Sequence, residues 1–245
     1  MRQYRSSARH NFFARYSLAA FALHALLLLS FPPLSAQTLV VQNTVKSDKG
    51  SDDPAAHALL SKTAKWMNAA SDVEILFDAC VADSRSLQAP RDCQRGSLVC
   101  RGQKFRLTLG PQTYYCDGQN LWAYVPQNKE VSVYAYDETQ AQLNPVSLIK
   151  NYRKYYRAKY IRQENIAGSA RNILDLTPLS PSDILKVRLF LNAGDNLPYR
   201  LELYYAQDQI QVLRIHACRE AKGLKDNDFV FDTSLFPNVM INDMR

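Results

Sequence analysis

Residues 102–136, GQKFRLTLGPQTYYCDGQNLWAYVPQNKEVSVYAY, constrain the fold more than any other stretch of the chain. Turn residues at Gly110-Pro111, Asp117-Gly118 and Gln127-Asn128 cut the run into four short segments. Asp-Gly is a strong hairpin dipeptide, because a tight hairpin turn needs positive φ, which glycine adopts freely and aspartate tolerates. The segments between the turns alternate, as half-buried strands do. Phe105, Leu107 and Leu109 fall on one face of the first, with Lys104, Arg106 and Thr108 on the other. Trp122 and Tyr124 share a face of the third, and Val131, Val133 and Ala135 share one of the fourth. The expectation is an antiparallel meander with its large apolar side chains on one side. A helix, a second sheet or a ligand must cover that side, because an oily sheet face left in water is costly.

The N-terminus reads as an export signal rather than as part of the fold. Residues 1–36 carry Arg2, Arg5, Arg9 and Arg15, no acid, an apolar core from Leu18 to Phe31, and small residues before Gln37. That core is short for a membrane span and suits a cleavable leader, with cleavage after Ala36. No cysteine stands at that point, so the chain is not itself expected to be lipidated there. The formal charge of +7 falls to +3 once the four leader arginines are set aside, which removes most of the case for a nucleic-acid binder. Export also permits disulfides, and the five cysteines (Cys80, Cys93, Cys100, Cys116 and Cys218) all lie beyond the leader. A bridge from Cys80 to Cys93 or Cys100 would staple a hairpin, and buried thiols acting as small apolar groups are the alternative. The odd count leaves at least one thiol outside any internal pair.

Residues 37–53 are polar and unpatterned, and read as an extension ahead of a single domain over 54–245. A helix is expected from Pro54 to Ala70, because Asp53 caps it, Pro54 suits its first turn, and Leu59, Leu60, Ala64 and Met67 share a face. Val73, Ile75 and Phe77 alternate with polar residues as a first strand, with a loop over 84–91 and a returning strand from Gly96. After a connection over 137–144, Pro145 to Tyr152 reads as a short helix showing Val146, Leu148 and Ile149. Further strand pairs follow, with turns at Asp195-Asn196 and Gln207-Asp208, and extended segments at 229–231 and 239–241 close the chain. The total is about eleven short antiparallel strands, and a sheet of that size must curl or split.

The order of several of these pieces resembles the periplasmic outer-membrane lipoprotein carriers, the LolA family. The matching residues are Tyr115-Cys116-Asp117-Gly118, then Trp122, Tyr124 and Pro126, a Val-x-Val strand, the Asn144-Pro145 to Ile149 helix start, and the closing FDTSLFPNVMINDMR. The likeness runs from about Pro54 to Arg245. It implies an α+β architecture: an unclosed antiparallel β-barrel with lid helices over a hydrophobic cavity. It also implies that Val73, Ile75, Phe77, Phe105, Leu107, Leu109, Tyr114, Trp122 and Tyr124 face lipid from the sheet, and that Val146 and Ile149 face it from the lid. Arg101 takes the place of the family's basic residue that contacts the lid, although Cys100-Arg101-Gly102 lacks the adjoining proline and is one residue shorter.

Signatures of catalysis are sparse. His216 beside Cys218 on a late strand is the one arrangement resembling a nucleophile and base, and His57 stands alone in the first helix. There is no Gly-x-Ser-x-Gly, His-Glu-x-x-His, phosphate loop or Rossmann glycine pattern, and no Cys-x-x-Cys. Residues 150–162 hold six cations, four tyrosines and no acid, a cluster that suits an anionic membrane or acidic partner if it is more than a solvated face. No metal or cofactor is expected. The family likeness implies a monomeric periplasmic carrier of acylated lipoproteins, loaded by an inner-membrane ABC-type lipoprotein-releasing complex and unloaded at an outer-membrane receptor. A lipid-sensing regulator that binds an anti-sigma factor on the same scaffold, and more remotely a lipid or glycan hydrolase, are the competing readings.

Overall fold

The computed structural model describes residues 53–136 and 144–245. The leader over 1–36, nearly all of the extension over 37–53 and most of the connection over 137–144 therefore lie outside the described residues. Helix α1 (Pro54–Ala69) begins as its sequence requires: the Asp53 carboxylate accepts from the backbone N–H of Ala55 (3.0 Å) and Ala56 (3.2 Å). The other carboxylate oxygen accepts from the Tyr160 N–H at 2.8 Å, so Asp53 fixes the helix start to the strand below.

Strands β1 (Val73–Ala82), β2 (Arg91–Arg101), β3 (Lys104–Leu109), β4 (Gln112–Cys116), β5 (Asn120–Val125) and β6 (Glu130–Ala135) form the first meander. Gly118, with φ of +94°, makes the β4–β5 turn, and Asp117 accepts from the backbone N–H of Gln119 and Asn120 beneath it. Two short helices follow, α2 (Pro145–Lys150), capped by Asn144, and α3 (Tyr152–Tyr155). The second meander is β7 (Tyr156–Ile166), β8 (Ser169–Pro178), β9 (Ile184–Asn192), β10 (Pro198–Tyr205) and β11 (Ile210–Glu220). Antiparallel pairing of β1 with β11 joins the two into one twelve-stranded sheet, in the order β12-β6-β5-β4-β3-β2-β1-β11-β10-β9-β8-β7.

The last strand, β12 (Met240–Asp243), corrects the expectation of a purely antiparallel sheet, because it runs parallel to β6. Phe229 likewise sits in a single helical turn (Asp226–Phe229) instead of the expected extended segment. The two ends of the sheet, β12 and β7, are not paired with each other, so the barrel is unclosed. Bulges at Leu76/Phe77, Ala79/Val81 and Tyr160/Arg162 increase the local bend of a sheet already too wide to stay flat. Cys80 and Cys93 form a disulfide across the β1–β2 hairpin, which leaves Cys100, Cys116 and Cys218 as thiols.

Candidate functional site: the roofed concave face

Strand alternation divides the sheet into an oily inside and a polar outside. Inside, Val73, Ile75 and Phe77 of β1 adjoin Leu98 and Cys100 of β2, then Phe105 and Leu109 of β3, then Tyr114 of β4, all in one buried cluster. Leu107 is half-buried against it, and Leu174, Leu176, Leu189, Leu201 and Leu203 supply the opposite wall. The roof is α1, through Ala56, Leu60 and Met67, and α2, through Val146, Leu148 and Ile149. Leu60, Met67 and Ile149 have no exposed surface at all, so the roof lies directly on the floor. The phenol of Tyr114 donates to Gln112 at 2.8 Å, and Phe105 meets Tyr136 edge-on at 5.8 Å.

Charge is kept out of this interior. Burial pushes the Cys100 thiol up to about 12, and Cys116 and Cys218 likewise to about 12, so all three stay protonated at neutral pH and behave as small apolar groups. Burial also raises the Tyr114, Tyr156 and Tyr205 phenols. Across the sheet, the outside carries paired ions instead: Arg188 with Asp175, Arg200 with Glu202, Arg219 with Glu74.

Only a few polar contacts hold the roof. His57 Nδ1 lies 2.7 Å from the Tyr152 hydroxyl, joining α1 to α3. Thr63 donates to the Asn196 carbonyl at 2.7 Å, and Asn144 donates to the Cys100 thiol at 3.2 Å. With the Asp53–Tyr160 bond at the start of α1, these polar contacts fasten an apolar pad, a construction that can separate from the sheet without breaking any strand pairing.

Two aromatic residues expected inside are outside. Tyr115 pairs with Trp122 and Thr113 with Tyr124, so the inward residues of β5 are Leu121 and Ala123. Trp122 and Tyr124 lie on the convex face with Tyr115, where Phe231 and Phe236 cover Tyr124 at ring distances of 5.2 and 4.6 Å. Val131 and Val133 are buried on that same outer face. Arg101 is corrected too. Its guanidinium grips both Asp72 oxygens at 2.7 Å and reaches Asp226 and the Leu224 carbonyl at 3.0 Å, so these bonds tie the α1–β1 turn to the C-terminal segment and not to α2. His216 and Cys218 face opposite ways, because the bulge in β11 turns His216 outward to Asp78 (2.8 Å) while Cys218 packs inward. The sequence signal for the C-terminal cover was the run of Phe229, Phe231 and Phe236, too many aromatic rings for a solvated tail.

That outer cover is fastened by acids whose protons are linked to stability. Lys104 and Arg101 hold the Asp226 carboxyl below the usual carboxylate range, and Arg245 holds Asp243 down to about 2. Both groups bind protons more weakly folded than unfolded, so their contribution is complete above the unfolded value and fades as pH falls through the folded one. The C-terminal segment is therefore expected to loosen between about pH 4 and about pH 2. Emission of Trp122, read in a Trp66→Phe background, should shift over that window, and a flat response down to the lower limit would contradict the assignment.

No protein-family model matches the sequence, and no curated protein matches it. Solved structures do. A DUF1329 family protein from Desulfovibrio piger is 12% identical with a TM-score of 0.47, over 76% of this chain and all of that one. A LolA superfamily protein from Nitrosomonas europaea, NE2245, is 17% identical with a TM-score of 0.40, over 72% of this chain and 98% of that one. An uncharacterized conserved protein from Thermus thermophilus is 8% identical with a TM-score of 0.52, over 77% of this chain and 99% of that one. Identities this low speak to architecture alone, and it is the half-rolled sheet that this chain shares with the Thermus protein.

Proposed function

We propose that the protein is a periplasmic carrier that takes the acyl chains of lipoproteins between its lid and its concave sheet. The observation that carries this reading is the join between a largely apolar concave face and a roof of separate helices resting on it. Exposing the inward side chains of the lid, Leu60, Met67, Val146, Leu148 and Ile149, costs on the order of 10 kcal/mol at about 2 kcal/mol each. A lipoprotein anchor has three chains, and hiding them from water is worth tens of kcal/mol at about 0.8 kcal/mol per methylene. Cargo therefore offsets lid opening with a margin, whereas the empty protein stays shut. A closed resting lid also keeps the oily face out of water between deliveries.

In this reading the chain binds and does not catalyse. An inner-membrane ABC-type complex supplies the energy of loading, and an outer-membrane receptor with higher affinity accepts the cargo. Depleting the protein from cells is expected to leave acylated lipoproteins in the inner membrane. Normal sorting after depletion would overturn the carrier role and favour the regulator on the same scaffold.

A further inference from the structure

The outward side of the lid has a chemistry of its own. Ser61, Lys65 and Asn68 of α1 and residues 150–154 of α2 and α3 border a groove of about 550 Å³. Its lining includes Lys65, Lys150, Arg153 and Lys154 and no acid. Among the described residues, Lys65, Lys150 and Arg153 have no carboxylate within ion-pair distance. Arg153 donates to the Tyr152 hydroxyl at 3.1 Å, and Lys154 lies over the Tyr155 ring at 5.0 Å. Lys150 is half-buried, and desolvation pushes its ammonium down from its ordinary value.

Several bases elsewhere on the surface are matched. Arg101, Arg188, Arg200 and Arg219 each hold a carboxylate within 2.7 Å. A second feature adjoins the groove. Leu179, 53% exposed, donates its backbone N–H to the Tyr155 carbonyl at 2.9 Å, which sets a bare leucine against the end of α3. Three cations without a carboxylate partner (Lys65, Lys150 and Arg153), the half-buried Tyr155 and an exposed leucine on one rim match the layers of a bilayer surface: anionic headgroups, the interface, and the start of the acyl region.

We propose that this groove docks the lid on an anionic bilayer, taking the phosphate headgroup of an anionic phospholipid, with Leu179 dipping beside it. The docking itself needs only the groove; its use, presenting the lid to the membrane that holds the cargo, rests on the carrier reading. Each surface cation adds to attraction by an anionic membrane, and the effect fades with added salt.

The test is vesicle flotation with the full chain, expressed with its own leader and purified from cells. Wild type is expected to float with mixed phosphatidylglycerol–phosphatidylcholine vesicles and not with phosphatidylcholine alone, and to detach as salt rises. Lys65→Glu/Arg153→Glu should weaken that binding by at least about tenfold, and Leu179→Ser should weaken it too. Lys222→Glu/Arg91→Glu makes the same charge change on exposed residues elsewhere and should leave it unchanged. Inorganic phosphate at matched ionic strength should not strip the protein from vesicles. Equal flotation with both vesicle types, equal loss in the two double variants, or specific stripping by phosphate would each overturn the proposal. Uptake of a triacylated lipopeptide from neutral detergent, measured on the same variants, separates the two claims. Uptake without docking leaves the carrier reading standing and removes the groove, and docking without uptake does the reverse.

Discussion

Ile149→Asp is expected to lift the lid and leave the sheet folded. Helix α2 has six residues, and Val146, Leu148 and Ile149 are its buried attachment to the concave face. Ile149 has no exposed surface and lies within a cluster of apolar side chains. A carboxylate forced into that position without a partner costs several kcal/mol. Swinging the helix out exposes Val146 and Leu148 instead, at about 3–5 kcal/mol, and solvates the new charge. The pairing of β1 to β12 uses no α2 backbone, so the sheet has no reason to follow. An apolar fluorescent probe should brighten several-fold on the variant while far-ultraviolet circular dichroism keeps its β signal. Loss of the β signal would show that α2 is part of the core and not a lid, and unchanged probe binding would show that it does not separate.

Gly96 carries the second large effect. It lies directly across from Phe77 on the concave floor, and the ring covers it so closely that an added Cβ would fall 2.5 Å from the ring's Cζ and 2.6 Å from Cε2. No real Cβ sits that near a carbon, so Gly96→Ala must push the Phe77 ring out of its place among Ile75 and Leu98. Overpacking of this kind costs about 1–3 kcal/mol, and Gly96→Val should cost more. The cost belongs to the pair. Phe77→Ala alone leaves a cavity, but Phe77→Ala/Gly96→Ala should be less destabilised than the sum of the two single changes, a coupling that denaturant unfolding can read. Strict additivity would mean that the ring and the glycine do not share the space.

The legible parts of the fold were those that local chemistry settles. Asp53 and Pro54 announce α1, the Asp117-Gly118 turn announces the β4–β5 hairpin, and the spacing of Val146 and Ile149 after Asn144-Pro145 announces the lid helix. What sequence reasoning missed was set at a distance. The family likeness and their size group Trp122 and Tyr124 with Phe105, yet hairpin register pairs Trp122 with Tyr115 and turns both outward. Smaller residues, Leu121 and Ala123, take the inward positions. Large rings tolerate the convex side here because Phe231 and Phe236 arrive from a segment about a hundred residues later in the chain to cover Tyr115 and Tyr124. The parallel pairing of β12 and the bulge that parts His216 from Cys218 depend on the assembled sheet in the same way. No residue-by-residue pattern carries such information, because a one-residue shift in register exchanges inside for outside.

This corrected geometry makes the two tryptophans of the chain a direct probe of the carrier claim. Trp66 packs against the concave core from the lid, whereas Trp122 lies on the convex face. A triacylated lipopeptide with brominated chains should quench Trp66 emission in a Trp122→Phe variant and leave Trp122 emission intact in a Trp66→Phe variant. Quenching of Trp122 alone, or of neither, would contradict the account.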